Sequence, residues 1–124
     1  MLSSCPEAAA LGERLQTRRQ CGGAVHLTSV CTGVFLLVGA GLVVGRRITT
    51  HHDFIHDLRA TGGVDVVEGV RFVRDGSLVT AAGVMSGIEM SLWLVERLYG
   101  ADRAAKARAY IAYDYPPRDR VEER

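Results

Sequence analysis

Residues 27–45 read LTSVCTGVFLLVGAGLVVG, a run without a single charge, and the way this run divides decides the fold. One reading is a bilayer span, which needs ~20 apolar residues. Residues 41–45 (GLVVG) would then form a small-residue packing face, and Arg46-Arg47 would anchor its end. Against this, the run holds Thr28, Ser29, Thr32 and four glycines. It also splits into a strand-like half and a helix-like half around Cys31-Thr32-Gly33. Strand, turn and buried helix is the better division, and no membrane partner is expected.

Ser29-Val30-Cys31-Thr32-Gly33 has the spacing of a nucleophile elbow. A sharp strand-to-helix turn brings the positions two before and two after the nucleophile together, so both must be small. The thiol would then sit at a helix N-terminus, where free N–H groups and the macrodipole favour negative charge on sulfur. The N–H of Thr32 would face a developing oxyanion. A small buried core cysteine has the same spacing, and both readings stay open on spacing alone.

The chain around this run has 124 residues, 48% hydrophobic and 23% charged, with a formal net charge of +1. That suits one compact domain and excludes wholesale disorder. The near-neutral balance removes the electrostatic case for nucleic acid or anionic lipid. Cys5, Cys21 and Cys31 form no CxxC pair, so neither a zinc site nor a thioredoxin-like motif is expected. An odd cysteine count and the lack of a signal-peptide pattern point to the cytoplasm.

Residues 7–20 predict a helix with Ala8, Leu11 and Leu15 as its apolar stripe, ended by Cys21-Gly22-Gly23. Residues 24–30 predict a strand covered on both faces, and residues 34–42 a buried helix. Gly45-Arg46-Arg47 turns the chain outward before a brief strand at 48–50. Thr50 with Asp53 fits a capping box that starts a helix to about residue 59, broken by Thr61-Gly62-Gly63. Residues 64–82 hold β-branched runs around Asp75-Gly76, a hairpin signal. Met85, Ile88, Leu92, Val95 and Tyr99 share one face of a long helix that Gly100 ends. An Ala-rich helix over 102–112 follows, and the charged residues 118–124 are expected to be a disordered tail. Helices alternating with strand runs imply a layered α/β fold.

The motifs SVCTG, GRR, TTHH (residues 49–52), RFVRDG (71–76), TAAGVMSGIEMSLWLVERLYG (80–100) and IAYDYPP (111–117), in that order, resemble the ThiJ/PfpI family, also called the DJ-one superfamily. The resemblance runs over nearly the whole of residues 1–117. It is strongest to the isonitrile hydratase branch and to the related sensor domains of AraC-type regulators. It implies the flavodoxin-like, class I glutamine amidotransferase-like three-layer sandwich. It also implies Cys31 as the nucleophile, Thr32 beside it, His51 as the nearby family histidine, and Gly83 and Ser86 on a substrate-binding loop.

The implied reaction is cysteine-dependent hydration of a small electrophile, an isonitrile becoming an N-substituted formamide. The alternatives are a non-enzymatic ligand sensor and a redox or glyoxal stress-response protein. The family's carboxylate and PGG turn precede the region matched by residue 7, so the chain resembles the C-terminal part of a family domain, an N-terminally truncated form. A small molecule is the expected ligand and a second copy the expected protein partner, with no cofactor and no nucleic acid.

No metal site is expected. His51, His52 and His56 could place two imidazoles one helical turn apart, but no third ligand is evident. Glu89, in a largely apolar helix, is expected in an ion pair.

Overall fold

A computed structural model of the chain describes residues 6–20, 26–115 and 121–123. At its centre lies β5 (Leu78–Ala81), with all four residues buried. It pairs in parallel with β1 (Leu27–Val30) and antiparallel with β4 (Phe72–Asp75). β6 (Val121–Glu123) joins β4 in parallel, giving the order β1-β5-β4-β6. A separate two-stranded parallel sheet joins β2 (Arg47–Ile48) to β3 (Asp65–Val66).

Side chains alternate along β5 as the pleat requires, and this divides the core in two. Leu78 packs with Val34, Phe35, Leu37, Val43, Ile48 and Leu58. Val79 and Ala81 pack with Phe72 and Met90 on the other face. α2 (Val34–Gly39) and α3 (Ile55–Ala60) supply the first cluster, with α1 (Pro6–Gln20) lying against α2. α4 (Val84–Tyr99) supplies Met90 and the half-buried Trp93 to the second, and α5 (Ala101–Tyr110) packs on α4. This is the helix–sheet–helix layering that the alternating sequence pattern implied.

Several expectations are corrected. The strand covered on both faces is β5, not β1: Thr28 and Val30 are exposed, because β1 has a single neighbour among the described residues. Residues 24 and 25, placed in that strand from sequence, and the Cys21-Gly22-Gly23 stop lie outside the described residues. The buried helix expected to reach residue 42 ends at Gly39, and Gly41 turns the chain at φ +70. Among the described residues no helix is long and apolar enough to cross a membrane.

On α4 the buried residues are Gly87, Met90 and Leu92, while Met85 and Tyr99 are exposed. The helix has turned so that a glycine meets the sheet. A Cβ at Gly87 would lie 2.9 Å from Cγ1 of Val30, closer than packed carbons approach. α1 makes a comparable approach. Among its described side-chain positions the buried one is Gly12, where a Cβ would stand 2.9 Å from that of Ala40, while Leu11 of the expected stripe is exposed. Ala8 of that stripe has no described side chain. The Gln16 side-chain amide also donates to the Ala40 carbonyl.

Residues 118–124, expected as a disordered tail, include β6, whose register pairs Val121 with Phe72 and Glu123 with Arg74. This pairing satisfies backbone groups of β4 that would otherwise form an open sheet edge. At the Gly45-Arg46-Arg47 turn, the Arg46 side chain pairs with Asp75. Asp75 accepts from Arg46 Nε at 3.2 Å and from the Arg47 N–H at 2.9 Å. Asp75 itself stays in β4, and the two-residue loop is Gly76-Ser77, with Gly76 at φ +62.

Candidate active site

β1 runs without a loop into a 3-10 turn, Cys31–Gly33, which continues directly into α2. Cys31, half-buried, adopts φ +57. Among the described non-glycine residues only Ala112 shares that left-handed conformation. It costs roughly 1–2 kcal/mol for a residue with a Cβ, so the surrounding packing must impose it. The turn is as tight as the small flanking residues implied: a Cβ at Gly33 would lie 4.0 Å from that of Ser29. No side chain caps the turn at Val30. Ser29 is buried, and its Oγ has no hydrogen-bond partner among the described residues.

The Cys31 turn is tied to a second segment. The hydroxyl of buried Thr50 donates to the Cys31 carbonyl at 2.9 Å, and the Thr49 N–H donates to Thr80 Oγ1 at 2.9 Å. Thr50 is thus turned inward and does not cap the following helix. Its expected partnership with Asp53 is replaced: His51 is the N-cap, its Nδ1 accepting from the Asp53 N–H at 3.2 Å. In the neutral ring this leaves the proton on Nε2.

The third element is the first turn of α4. Gly83 is its N-cap, with the Gly83 carbonyl accepting from the Gly87 N–H at 2.7 Å. The Gly87–Val30 approach sets this turn beside the residue that precedes Cys31, and half-buried Ser86 adjoins it. Thr50 and Gly87 thus bring the segment before His51 and the start of α4 to Cys31 and Val30, at the C-terminal end of β1, where parallel α/β sheets place their ligands.

Sequence reasoning missed Thr50 as the anchor of the Cys31 turn, Gly87 as the close-packing residue, and Asp53 as a third donor. Gly87 had a signal, since a glycine inside a strong helix pattern usually marks a close approach. Asp53 carries the signal of a helix cap. Its carboxylate lies 3.3 Å from His52 Nε2 and 3.7 Å from His51 Nδ1. His56 is not part of this group. The 3-10 turn His52–Phe54 winds tighter than an α-helix and spoils the one-turn spacing expected for His52 and His56.

Away from this end, Glu89 pairs with Arg71 and accepts from the Tyr113 hydroxyl at 2.7 Å. Tyr113 is buried, and its ionisation is pushed upward, first by that burial and then by its bond to Glu89. Glu89 is thus a structural ion-pair residue, as its setting in an apolar helix implied.

Comparison with known proteins agrees with this architecture. The sequence model of the DJ-1/PfpI family matches residues 7–97. An isonitrile hydratase from Pseudomonas putida is 43% identical over 100 residues, covering 81% of this chain and 43% of that protein. The crystal structure of a ThiJ/PfpI family protein from Pseudomonas syringae superposes with a TM-score of 0.77 at 30% identity, over 95% of this chain and 46% of that one. An AraC family transcriptional regulator from Pseudomonas putida shares the fold at a TM-score of 0.69 and 22% identity, over 86% of this chain and 55% of that one. The chain spans less than half the length of the isonitrile hydratase it matches.

Proposed function

The chain belongs to the DJ-1/PfpI family, with its flavodoxin-like, class I glutamine amidotransferase-like fold, and from that premise we propose that it carries the nucleophile of a cysteine-dependent hydratase acting on a small electrophile of the isonitrile class. The observation that carries this reading is Cys31 held at φ +57 between β1 and α2. Strain of that kind is kept where a side chain must project from a sharp turn. The 43% identity to an isonitrile hydratase supports that substrate class.

In this reading the Cys31 thiol adds across the terminal carbon of R–NC. A C–S bond forms and the thiol proton ends on that carbon, giving R–N=CH–S–Cys31. Water then attacks the same carbon and the C–S bond breaks. The product is R–NH–CHO, and the thiol is regenerated, for a net addition of one water. Thr32 lines the turn beside the reacting carbon, and its N–H faces the charge that develops during water attack. His51 orients or exchanges a proton through the Nε2 that its capping bond leaves free. Gly83 and Ser86 border the substrate.

The test is incubation of the chain with a small alkyl isonitrile, following formamide release and the intact mass of the protein. The expected result is formamide, or an adduct of one isonitrile on Cys31, with both lost in Cys31→Ala. Equal reaction in Cys31→Ala, or none in either protein, overturns the reading. A second reading, a ligand-sensing domain without turnover, has the shared fold of the AraC family regulator behind it. Saturable binding that leaves the isonitrile unchanged would favour it.

A further inference from the structure

We propose that His51, His52 and Asp53 form a binding site for a divalent first-row transition ion of the Zn²⁺ type. One donor atom from each residue lies within 4.8 Å of the other two. The two imidazoles address different oxygens of one carboxylate, His52 Nε2 at 3.3 Å from Oδ1 and His51 Nδ1 at 3.7 Å from Oδ2. With metal–ligand bonds of 2.0–2.1 Å, donors in a tetrahedral zinc shell stand about 3.4 Å apart. The two nitrogen–oxygen distances are already near that spacing, and side-chain rotation would bring the three donors onto one ion.

Two nitrogens and one oxygen are a borderline donor set, suited to Zn²⁺, Ni²⁺ or Cu²⁺ and too poor in oxygen for Ca²⁺ or Mg²⁺. The backbone beneath the site is fixed. Thr50, the residue before it, is buried and bonded to the Cys31 carbonyl. His51 is further positioned by ring contacts with His52 (4.0 Å between centroids) and Phe54 (6.2 Å). The ion would replace the bond from the Asp53 N–H to His51 Nδ1, and three protein ligands would leave a coordination position for water.

This inference does not depend on the hydratase reading, because its readout is binding. Titration of the full chain with ZnCl₂ by calorimetry, and with CoCl₂ by visible absorption, tests it. The expected result is one ion per chain, held about tenfold or more less tightly by His52→Ala and by Asp53→Asn, and unchanged in Cys31→Ala. His52 and Asp53 are largely exposed, so both variants should keep the thermal transition of the parent. The cobalt spectrum should show tetrahedral bands without a thiolate charge-transfer band. Binding that survives both substitutions, a thiolate band, or no binding by the parent chain overturns the site.

Discussion

The Thr50 hydroxyl donates to the Cys31 carbonyl at 2.9 Å, joining two residues 19 positions apart. The bond ties the strained turn to the segment carrying His51, so the placement of the imidazole and that of the thiol are linked through one side chain.

Thr50→Val keeps the shape of this side chain and removes the donor. Loss of this partly buried hydrogen bond should lower stability by about 1–2 kcal/mol. It should also loosen the turn, so that Cys31 reacts faster with a thiol reagent than in the parent. Urea unfolding and timed alkylation measure the two effects. Unchanged stability together with unchanged alkylation would show that the bond does not hold the turn.

Cys31→Gly and Cys31→Ala should differ in stability although both remove the thiol. Alanine keeps the Cβ that opposes φ +57, and glycine does not. The glycine variant should be more stable by roughly 1 kcal/mol, the left-handed penalty less the extra entropy that glycine loses on folding. Paired thermal melts decide it, and equal melting temperatures would mean the turn relaxes without strain.

Tyr113 should ionise above the ordinary tyrosine range, since burial and its bond to Glu89 disfavour the phenolate. Its folded-state titration lies above that of the unfolded chain. The contribution is therefore complete below about pH 10 and is lost as pH rises through the folded value. Ultraviolet titration of phenolate should show a late component that disappears in Tyr113→Phe. Stability should fall above pH 10 less steeply in that variant than in the parent.

The layered α/β fold was legible because each element has a local signature: the capless strand–turn–helix run at Cys31, the glycine pair at 62 and 63, and the Asp-Gly hairpin signal. The turn at Cys31 was legible from the small residues Ser29 and Gly33, whereas the choice of nucleophile over core cysteine came from the family resemblance. Pairings were not. Nothing in the sequence near Thr50 says that its hydroxyl turns toward Cys31 and leaves the cap to His51, because the choice depends on where β1 ends relative to β2. The faces of α1 and α4 were only partly legible for a related reason: Leu15 and Leu92 pack inward, while Leu11, Met85 and Tyr99 are exposed. Apolar periodicity counts side chains, whereas both helices approach their neighbours closely at glycines, Gly12 and Gly87, which have no side chain to count. The pairing of β6 with β4 joins residues nearly fifty positions apart and has no local signal.

The slender attachment of α1 has a consequence for how the molecule opens. The helix is held through Gly12 and Gln16 against Ala40 and through Leu15 at the edge of the first cluster, with most of its described surface in water. Such an element buries too little apolar area to share the full unfolding free energy of the domain. It can lift away as a separate cooperative unit while β5 and the turn after β1 stay closed. Amide protons of α1 should therefore exchange long before those of β5. The first protease cuts should fall within residues 6–20 and leave Cys31 in its turn.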